Sequence, residues 1–170
     1  MKKKTLFRKK QACLLIIGGH LTPALAVIEE VKKREDWDIA WVGRKFAMEG
    51  RDALSLEYET IPKLGIPFYN LETGRLQRKL TIWTLPSILR IPRGFLQGFF
   101  LLIKIRPSVI LSFGGYLSLP IVIAGWFLRI PSILHEQTTT SGLSNRIASF
   151  FARQIAISYE SSAAEFPHQK

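Results

Sequence analysis

Short apolar runs alternate along this chain with longer segments of helical periodicity. Such alternation is typical of βαβ units, whose strands must lie parallel in one sheet because each crossover returns the chain to the same edge. We therefore predict an α/β fold with a parallel, doubly wound sheet of the Rossmann type. The length of 170 residues favours one domain, 11–170, after a basic N-terminal segment, 1–10. Strands are predicted at 13–17, 37–42, 66–71, 108–113, 132–135 and 154–158.

Helices are predicted between these strands. The first has Thr22 as its N-cap and Pro23 at its first helical position, and its apolar face runs to about Arg34. The remaining predictions are a helix containing Phe46 and Met48, two helical pieces within 80–105 separated by prolines, a helix through Trp126 and Phe127, a helix at 143–151, and a short helix or frayed end at 160–170.

Residues 9–30 are compatible with two interpretations. A lysine-rich start, a short apolar run and Ala24-Leu25-Ala26 resemble a secretory signal with its cleavage site. The alternative is a buried strand, a Gly-Gly-His loop and a helix whose apolar face continues through the supposed cut to Val31. The second interpretation is favoured, and the single cysteine, Cys13, also points to the cytoplasm because it has no partner for an internal disulfide.

The charge is strongly basic and unevenly distributed. The formal net charge is +11, and no acidic residue occurs between Glu72 and Glu136. Cations interleaved with aliphatic and aromatic residues suit an anionic membrane surface better than a nucleic acid, although they are also compatible with simple solvation of exposed faces. The cations of this stretch are Arg75, Arg78, Lys79, Arg90, Arg93, Lys104, Arg106 and Arg129.

The longest uncharged run, 107–128, has the length of a membrane span but contains glycine, serine and proline in its middle. Two shorter buried elements around a loop explain this run better than a lipid-facing helix does. We therefore expect the protein to lie on a membrane rather than to cross it.

Three loops that follow predicted strands contain residues suited to binding. They are Gly18-Gly19-His20, Gly114-Gly115-Tyr116 and His135-Glu136-Gln137. Ligands of doubly wound sheets bind at the carboxyl ends of the strands, where glycine allows a close backbone approach and helix N-termini favour anions. No Walker A, G-x-G-x-x-G or G-x-S-x-G motif occurs, and the histidines and cysteine lack metal-ligand spacing.

Four motifs in a fixed order carry a family resemblance. The chain is similar to the N-terminal domain of the MurG family, the UDP-N-acetylglucosamine transferases that complete lipid II in peptidoglycan synthesis. The resemblance covers nearly the whole chain. Its motifs are GGHLTPALA at 18–26, FGGYLSLP at 113–120, IPSILHEQ at 130–137 and GLSNR at 142–146.

The resemblance implies the acceptor-binding, membrane-docking half of a two-domain GT-B type glycosyltransferase. The reaction would transfer GlcNAc from UDP-GlcNAc to undecaprenyl-diphosphate-MurNAc-pentapeptide at the cytoplasmic face of the bacterial membrane, without a cofactor, a metal or a nucleic acid. Since the donor domain is not in this sequence, we expect no activity from the chain alone. The alternative is a non-catalytic, membrane-associated acceptor-binding subunit of a split glycosyltransferase, with a separate donor-binding partner chain.

The resemblance also implies roles for individual residues. His20 matches the family's proposed general base, which would equally serve as an electrostatic clamp, and its structural alternative is a cap on the following helix. Tyr116 is alternatively a packed loop aromatic, Glu136 a strand-end hydrogen-bond partner of His135, and the tryptophans ordinary core. The implied acceptor-diphosphate residues are Gly18, Gly19, Gly114, Gly115 and Tyr116; the donor-facing residues are Glu136, Gln137, Thr138 and Asn145; the membrane patch is Arg78, Lys79, Leu80, Ile82, Trp83, Leu85 and Trp126.

Two positions differ from the family pattern. Its first loop usually reads G-G-T-G-G-H, whereas Leu15-Ile16-Ile17 precede Gly18 here, which predicts a shorter loop. Its H-E-Q-N becomes His135-Glu136-Gln137-Thr138, so threonine replaces an asparagine expected to contact the donor.

Overall fold

The protein forms a six-stranded, fully parallel sheet. The structure, a computed structural model, describes residues 11–34, 36–47, 53–74 and 84–167, with only the backbone of 84–90. The parallel sheet and the helices between its strands confirm the predicted α/β fold. The strands are β1 (Ala12–Ile17), β2 (Trp37–Gly43), β3 (Phe68–Asn70), β4 (Val109–Ser112), β5 (Ser132–Glu136) and β6 (Gln154–Ile157). Their order across the sheet is β3-β2-β1-β4-β5-β6.

The helices cover both faces of this sheet. They are α1 (Leu21–Lys32), α2 (Leu56–Thr60), α3 (Thr84–Ile105), α4 (Ser118–Phe127) and α5 (Leu143–Ser149), with 3-10 turns at Pro62–Leu64 and Glu160–Glu165. None of the helices within the described part of the chain is long and apolar enough to cross a membrane.

The first strand explains why the sheet has a core on each side. Successive side chains of a strand point to opposite faces. Leu15 and Ile17 pack with the buried residues of α3 and α4, whereas Leu14 and Ile16 pack with Ala24 and Ile28 of α1. A strand covered on both faces must be apolar at every position, which accounts for the uninterrupted run in β1.

The start of α1 differs from the prediction. The N-cap is His20, with an extended backbone (φ −126°, ψ 108°), and Thr22 already lies within the helix. Only Gly18, Gly19 and His20 separate β1 from α1, so the helix begins as soon as the chain has turned away from the strand. The Ala24-Leu25-Ala26 triplet is part of α1, and Ala24 is fully buried.

The predicted helix around Phe46 is wrong. Phe46 instead forms an antiparallel bridge with Leu54, and Met48 lies outside the described residues. An unpredicted helix, α2, follows directly. Its N-cap is Ser55, whose hydroxyl accepts a hydrogen bond from the Tyr58 backbone N–H at 3.2 Å, so a local polar cap rather than apolar periodicity marks this helix.

The two helical pieces predicted within 80–105 form a single helix where the chain is described. Pro86 falls in the first turn of α3, where a missing N–H removes no helical bond. Pro92 lies inside the helix and does remove one. Packing of α3 against α4 keeps the helix continuous because burial of an apolar face outweighs the loss of one backbone hydrogen bond.

Candidate functional site

A cleft of about 490 Å³ opens at the carboxyl ends of β1 and β4. These two strands are neighbours in the sheet, although α1, β2, β3 and α3 intervene between them along the chain. The strand order therefore reverses between them, and this is the position at which doubly wound sheets bind ligands. The cleft is lined by Gly18, Gly19, Leu21, Arg44, Ser55, Leu56, Glu57, Gly115, Tyr116 and Leu117.

The two glycine loops touch each other at this cleft. We call Gly18, Gly19 and His20 the β1 loop, and Gly114, Gly115 and Tyr116 the β4 loop. A Cβ atom on Gly19 would overlap the Gly114 carbonyl oxygen and lie 2.8 Å from the Phe113 carbonyl oxygen. Gly114 and Gly115 both have a positive φ, 82° and 83°, which side chains rarely permit. Glycine is therefore required for both the approach and the turn.

His20 and Tyr116 occupy different environments in these loops. The His20 side chain is exposed and makes no hydrogen bond that caps α1, so the capping role considered for it is not formed. His20 stands between Gly19 and Leu21, which line the cleft, but does not line it itself. Tyr116 lines the cleft and also packs against the core, combining the two roles considered for it.

Glu136 ends β5 as a buried carboxylate, 2% exposed. Its Oε1 accepts hydrogen bonds from the Thr138 backbone N–H at 3.1 Å and the Thr138 hydroxyl at 2.6 Å, and its Oε2 accepts one from Asn145 Nδ2 at 2.9 Å. Burial disfavours the charged form, but these bonds and one from Ser141 outweigh it and lower the pKa of Glu136. The carboxylate is thus a stable, ionised acceptor.

Asn145 connects this carboxylate to the β4 loop. A Cβ atom on Gly114 would lie 2.7 Å from Asn145 Nδ2, so the asparagine amide packs directly against the glycine. The Ser112 hydroxyl, which is hydrogen-bonded to Ser118, also accepts the Gly114 N–H at 3.2 Å. The β4 loop therefore packs on a buried polar network that reaches it through Asn145 and Ser112.

The residues expected to face a donor do not line the 490 Å³ cleft; they are Glu136, Gln137, Thr138 and Asn145. Glu136 and Asn145 are buried in the network just described. Gln137 Oε1 lies 3.3 Å from His135 Nδ1. Thr138 is exposed, and its hydroxyl donates a hydrogen bond to Glu136. His135 contacts Gln137 and Ser158 rather than Glu136, so a His135–Glu136 hydrogen-bond pair is not present.

The segment between β2 and β3 supplies two residues that the sequence analysis missed, Arg44 directly after β2 and Glu57 in α2. Glu57 Oε1 accepts the Arg44 backbone N–H at 3.0 Å and lies 3.9 Å from Arg44 Nε, while its Oε2 accepts from Trp41 Nε1 at 3.3 Å. Burial raises the pKa of Glu57, and the bonds and charge from Arg44 and Trp41 only partly offset it. The strand-end rule applied to β2 would have pointed to Arg44.

Glu57 also explains why positions 18 and 43 are glycine. A Cβ atom on Gly18 would overlap Glu57 Oε2 and lie 3.0 Å from the Trp41 ring. A Cβ on Gly43 would lie 2.8 Å from the same oxygen. The Glu57 carboxyl group therefore packs over both glycines, so one side wall of the cleft comes from α2.

The membrane-patch prediction is described only in part. Arg78, Lys79, Leu80, Ile82 and Trp83 lie outside the described residues, and Leu85 is described only as backbone within α3. Trp126 is 53% exposed at the end of α4, with its ring 5.0 Å from Phe127 and 5.6 Å from Phe151. It is therefore a surface aromatic rather than a core residue.

Residues 17–157 match the glycosyltransferase family 28 N-terminal domain. The chain belongs to this family. A relative from Bacillus cereus (strain ATCC 10987 / NRS 248), a UDP-N-acetylglucosamine–N-acetylmuramyl-(pentapeptide) pyrophosphoryl-undecaprenol N-acetylglucosamine transferase 2, is 36% identical over 90% of this chain and 41% of its own. The transferase of the same name, without the numeral, from Shouchella clausii (strain KSM-K16) is 38% identical over 89% of this chain and 40% of its own.

Solved structures agree on the fold. Acinetobacter baumannii MurG superposes with a TM-score of 0.73 at 21% identity, covering 94% of this chain and 44% of that protein. UDP-GlcNAc 2-epimerase from Methanocaldococcus jannaschii superposes with a TM-score of 0.59 at 14% identity, covering 91% of this chain and 41% of that protein. The chain therefore has the fold of the N-terminal half of these GT-B type proteins and spans about two fifths of the length of the curated relatives it matches.

Proposed function

We propose that this domain is the acceptor half of a hexosyltransferase of peptidoglycan synthesis. The acceptor is undecaprenyl-diphosphate-MurNAc-pentapeptide, and the transferred group is GlcNAc from UDP-GlcNAc. The observation that carries this proposal is the cleft between β1 and β4, where the strand order reverses and the two glycine loops meet. The names of the Bacillus cereus and Shouchella clausii transferases support the choice of donor and acceptor.

The geometry of the cleft suits a diphosphate. Gly19 and Gly115 present backbone without side chains, so phosphate oxygens can approach closely, whereas Gly18 is covered by Glu57 and its N–H donates to the Val42 carbonyl oxygen. The two loops lead into α1 and α4, whose N-termini lie at the same edge of the sheet and bear partial positive charge. Leu21, Leu56 and Leu117 supply the apolar part of the cleft lining, against which the start of the isoprenoid chain would pack.

We assign the general-base role to His20. The attacking sugar hydroxyl forms a bond to the anomeric carbon of GlcNAc, the bond from that carbon to UDP breaks, and an imidazole nitrogen takes the hydroxyl proton. The exposed ring at the N-cap of α1 is accessible to an acceptor sugar bound beside the glycine loops. Because the relatives extend well beyond the matched segment, we assign UDP-GlcNAc to a second, donor-binding domain, toward which Gln137 and Thr138 would face.

We further propose peripheral binding to the cytoplasmic face of the membrane. Exposed apolar side chains occur along α3 and at the end of α4, where cations are also exposed. Insertion of the apolar groups and pairing of the cations with lipid phosphates would act together. The residues that support this proposal are Leu96, Phe100, Trp126, Phe127, Arg93, Lys104 and Arg129.

The test is sugar transfer by the protein in the full form that its gene encodes. Radiolabelled UDP-GlcNAc and vesicles containing the lipid acceptor should give labelled lipid product. His20→Ala should lower kcat by about 100-fold or more with a smaller change in KM. Lys33→Ala, at the other end of α1, is the matched control and should leave both constants unchanged. Unchanged kcat in His20→Ala would remove the base role, and no transfer by the wild type would overturn the proposed reaction.

A further inference from the structure

Among the described residues, the charged side chains that line the cleft belong to one segment of the chain. Among the ten lining residues, Arg44 is the cation and Glu57 the anion, and both come from the region between β2 and β3. The glycine loops offer N–H groups but no full charge. A diphosphate carries several negative charges, so a fixed cation in this cleft would contribute strongly to its binding.

The main chain of Arg44 is held on both sides. Its N–H donates to Glu57 Oε1 at 3.0 Å, and its carbonyl oxygen accepts the Ser55 hydroxyl at 2.5 Å. The next residue is also fixed, since the Lys45 N–H donates to Asn70 Oδ1 at 2.8 Å. These long-range contacts fix the backbone position from which the guanidinium group extends.

The guanidinium group retains donors for a ligand. Within the described residues it forms an ion pair with Glu57, in which Nε lies 3.9 Å from Oε1, and the side chain is 37% exposed. Arginine has five N–H donors in a planar fork that matches phosphate oxygens. Glu57, in contrast, is engaged on both oxygens by the Arg44 N–H and by Trp41 Nε1.

We propose that Arg44 is a ligand of the diphosphate bound in this cleft, and that Glu57 is the positioning residue that holds it there. This inference rests on the proposed function, because it names a binding contact of the same site. Arg44 supplies the charge and the fork geometry, and the glycine loops supply close backbone N–H groups. Glu57 acts through Arg44 and does not itself contact the ligand.

The experiment measures calorimetric binding of farnesyl diphosphate, farnesyl monophosphate and farnesol to the whole protein. Arg44→Gln should weaken diphosphate binding by about 10-fold or more, and Arg44→Lys by less, because lysine keeps the charge and loses the fork. Arg34→Gln removes the same charge from an exposed position just beyond the C-terminal end of α1 and should change affinity less than about 2-fold.

The positioning role is tested by a double-mutant cycle. Glu57→Ala should weaken diphosphate binding, and adding it to Arg44→Gln should cause no further loss, because Glu57 acts through the arginine. Additive losses would overturn the positioning role. Thermal unfolding of each variant identifies any that has lost its fold, in which case Arg44→Lys carries the comparison.

The outcomes separate this inference from the proposed function. If the wild type binds the diphosphate no better than farnesol, the proposed function fails. If it binds the diphosphate selectively and Arg44→Gln binds equally well, the assignment of Arg44 is overturned while the proposed function stands. Equal losses in Arg44→Gln and Arg34→Gln would indicate a general charge effect and would also overturn the assignment.

Discussion

The β1 loop and the β4 loop meet at the same cleft, but they are supported by carboxylates in different environments. Glu57 packs over Gly18, and Glu136 acts on Gly114 through the amide of Asn145. Both carboxylates are removed from most contact with solvent, yet the pKa of Glu57 is raised and that of Glu136 is lowered.

The difference lies in the number and quality of the hydrogen bonds. Glu136 accepts a short bond from the Thr138 hydroxyl, a second bond from the Thr138 N–H and a third from Asn145. Glu57 accepts one good backbone bond from Arg44 and a long one from Trp41, with a distant guanidinium group. Burial alone therefore does not decide the charge of a carboxylate, because the donors aimed at it do. The ionised form of the carboxylate is therefore better stabilised beside the β4 loop than beside the β1 loop.

The largest expected effect comes from filling the contact between Gly114 and Asn145. Gly114→Ala adds the strain of a positive φ to a clash with the amide and should lower the free energy of unfolding by about 2–4 kcal/mol. Gly65→Ala is the matched control, because its φ is 74° and nothing lies within 4 Å of a Cβ there. The control should cost about 1–2 kcal/mol in the same urea denaturation. Equal costs would show that Asn145 does not support the β4 loop.

A smaller effect is expected when the Glu136 charge is removed. Glu136→Gln should cost about 1–3 kcal/mol at pH 7, because an amide cannot accept from all the donors that surround the carboxylate. A lowered folded-state pKa gives stability that is present above the ordinary value of 4.5 and lost as pH falls through the folded value. The difference between wild type and variant should therefore shrink on acidification below 4.5, as measured by denaturation at several pH values. A gap independent of pH would contradict this.

The smallest effect is expected at Glu57, with the opposite dependence on pH. Glu57→Gln should change the free energy of unfolding by about 1 kcal/mol or less at pH 7, since one bond is kept and only a long one is lost. A raised folded-state pKa gives stability that is complete below 4.5 and lost as pH rises through the folded value. The wild type should therefore lose stability relative to the variant as pH rises from 4.5 through the folded-state pKa of Glu57. A trend parallel to that of Glu136→Gln would remove the contrast between the two loops.

Much of the fold was predictable because the signals are local. The strand positions agree to within one or two residues, since an apolar run bounded by glycine, proline or charge is readable without knowledge of its neighbours. The predictions failed where packing or a polar cap overrides periodicity. Phe46 joins a bridge rather than a helix, α2 begins at a serine cap, and α3 continues through Pro92.

The candidate site also has features that are readable from the sequence and features that depend on tertiary contacts. The sequence alone determined the two glycine loops, because a glycine pair after a buried strand is visible as letters and its edge of the sheet follows from the fold class. Only the tertiary structure decided that the loops touch, that Glu57 and Asn145 fill the space beside their glycines, and that Arg44 lines the cleft. These are contacts between segments far apart along the chain, and their geometry exists only after the strands have aligned and the helices have packed on them.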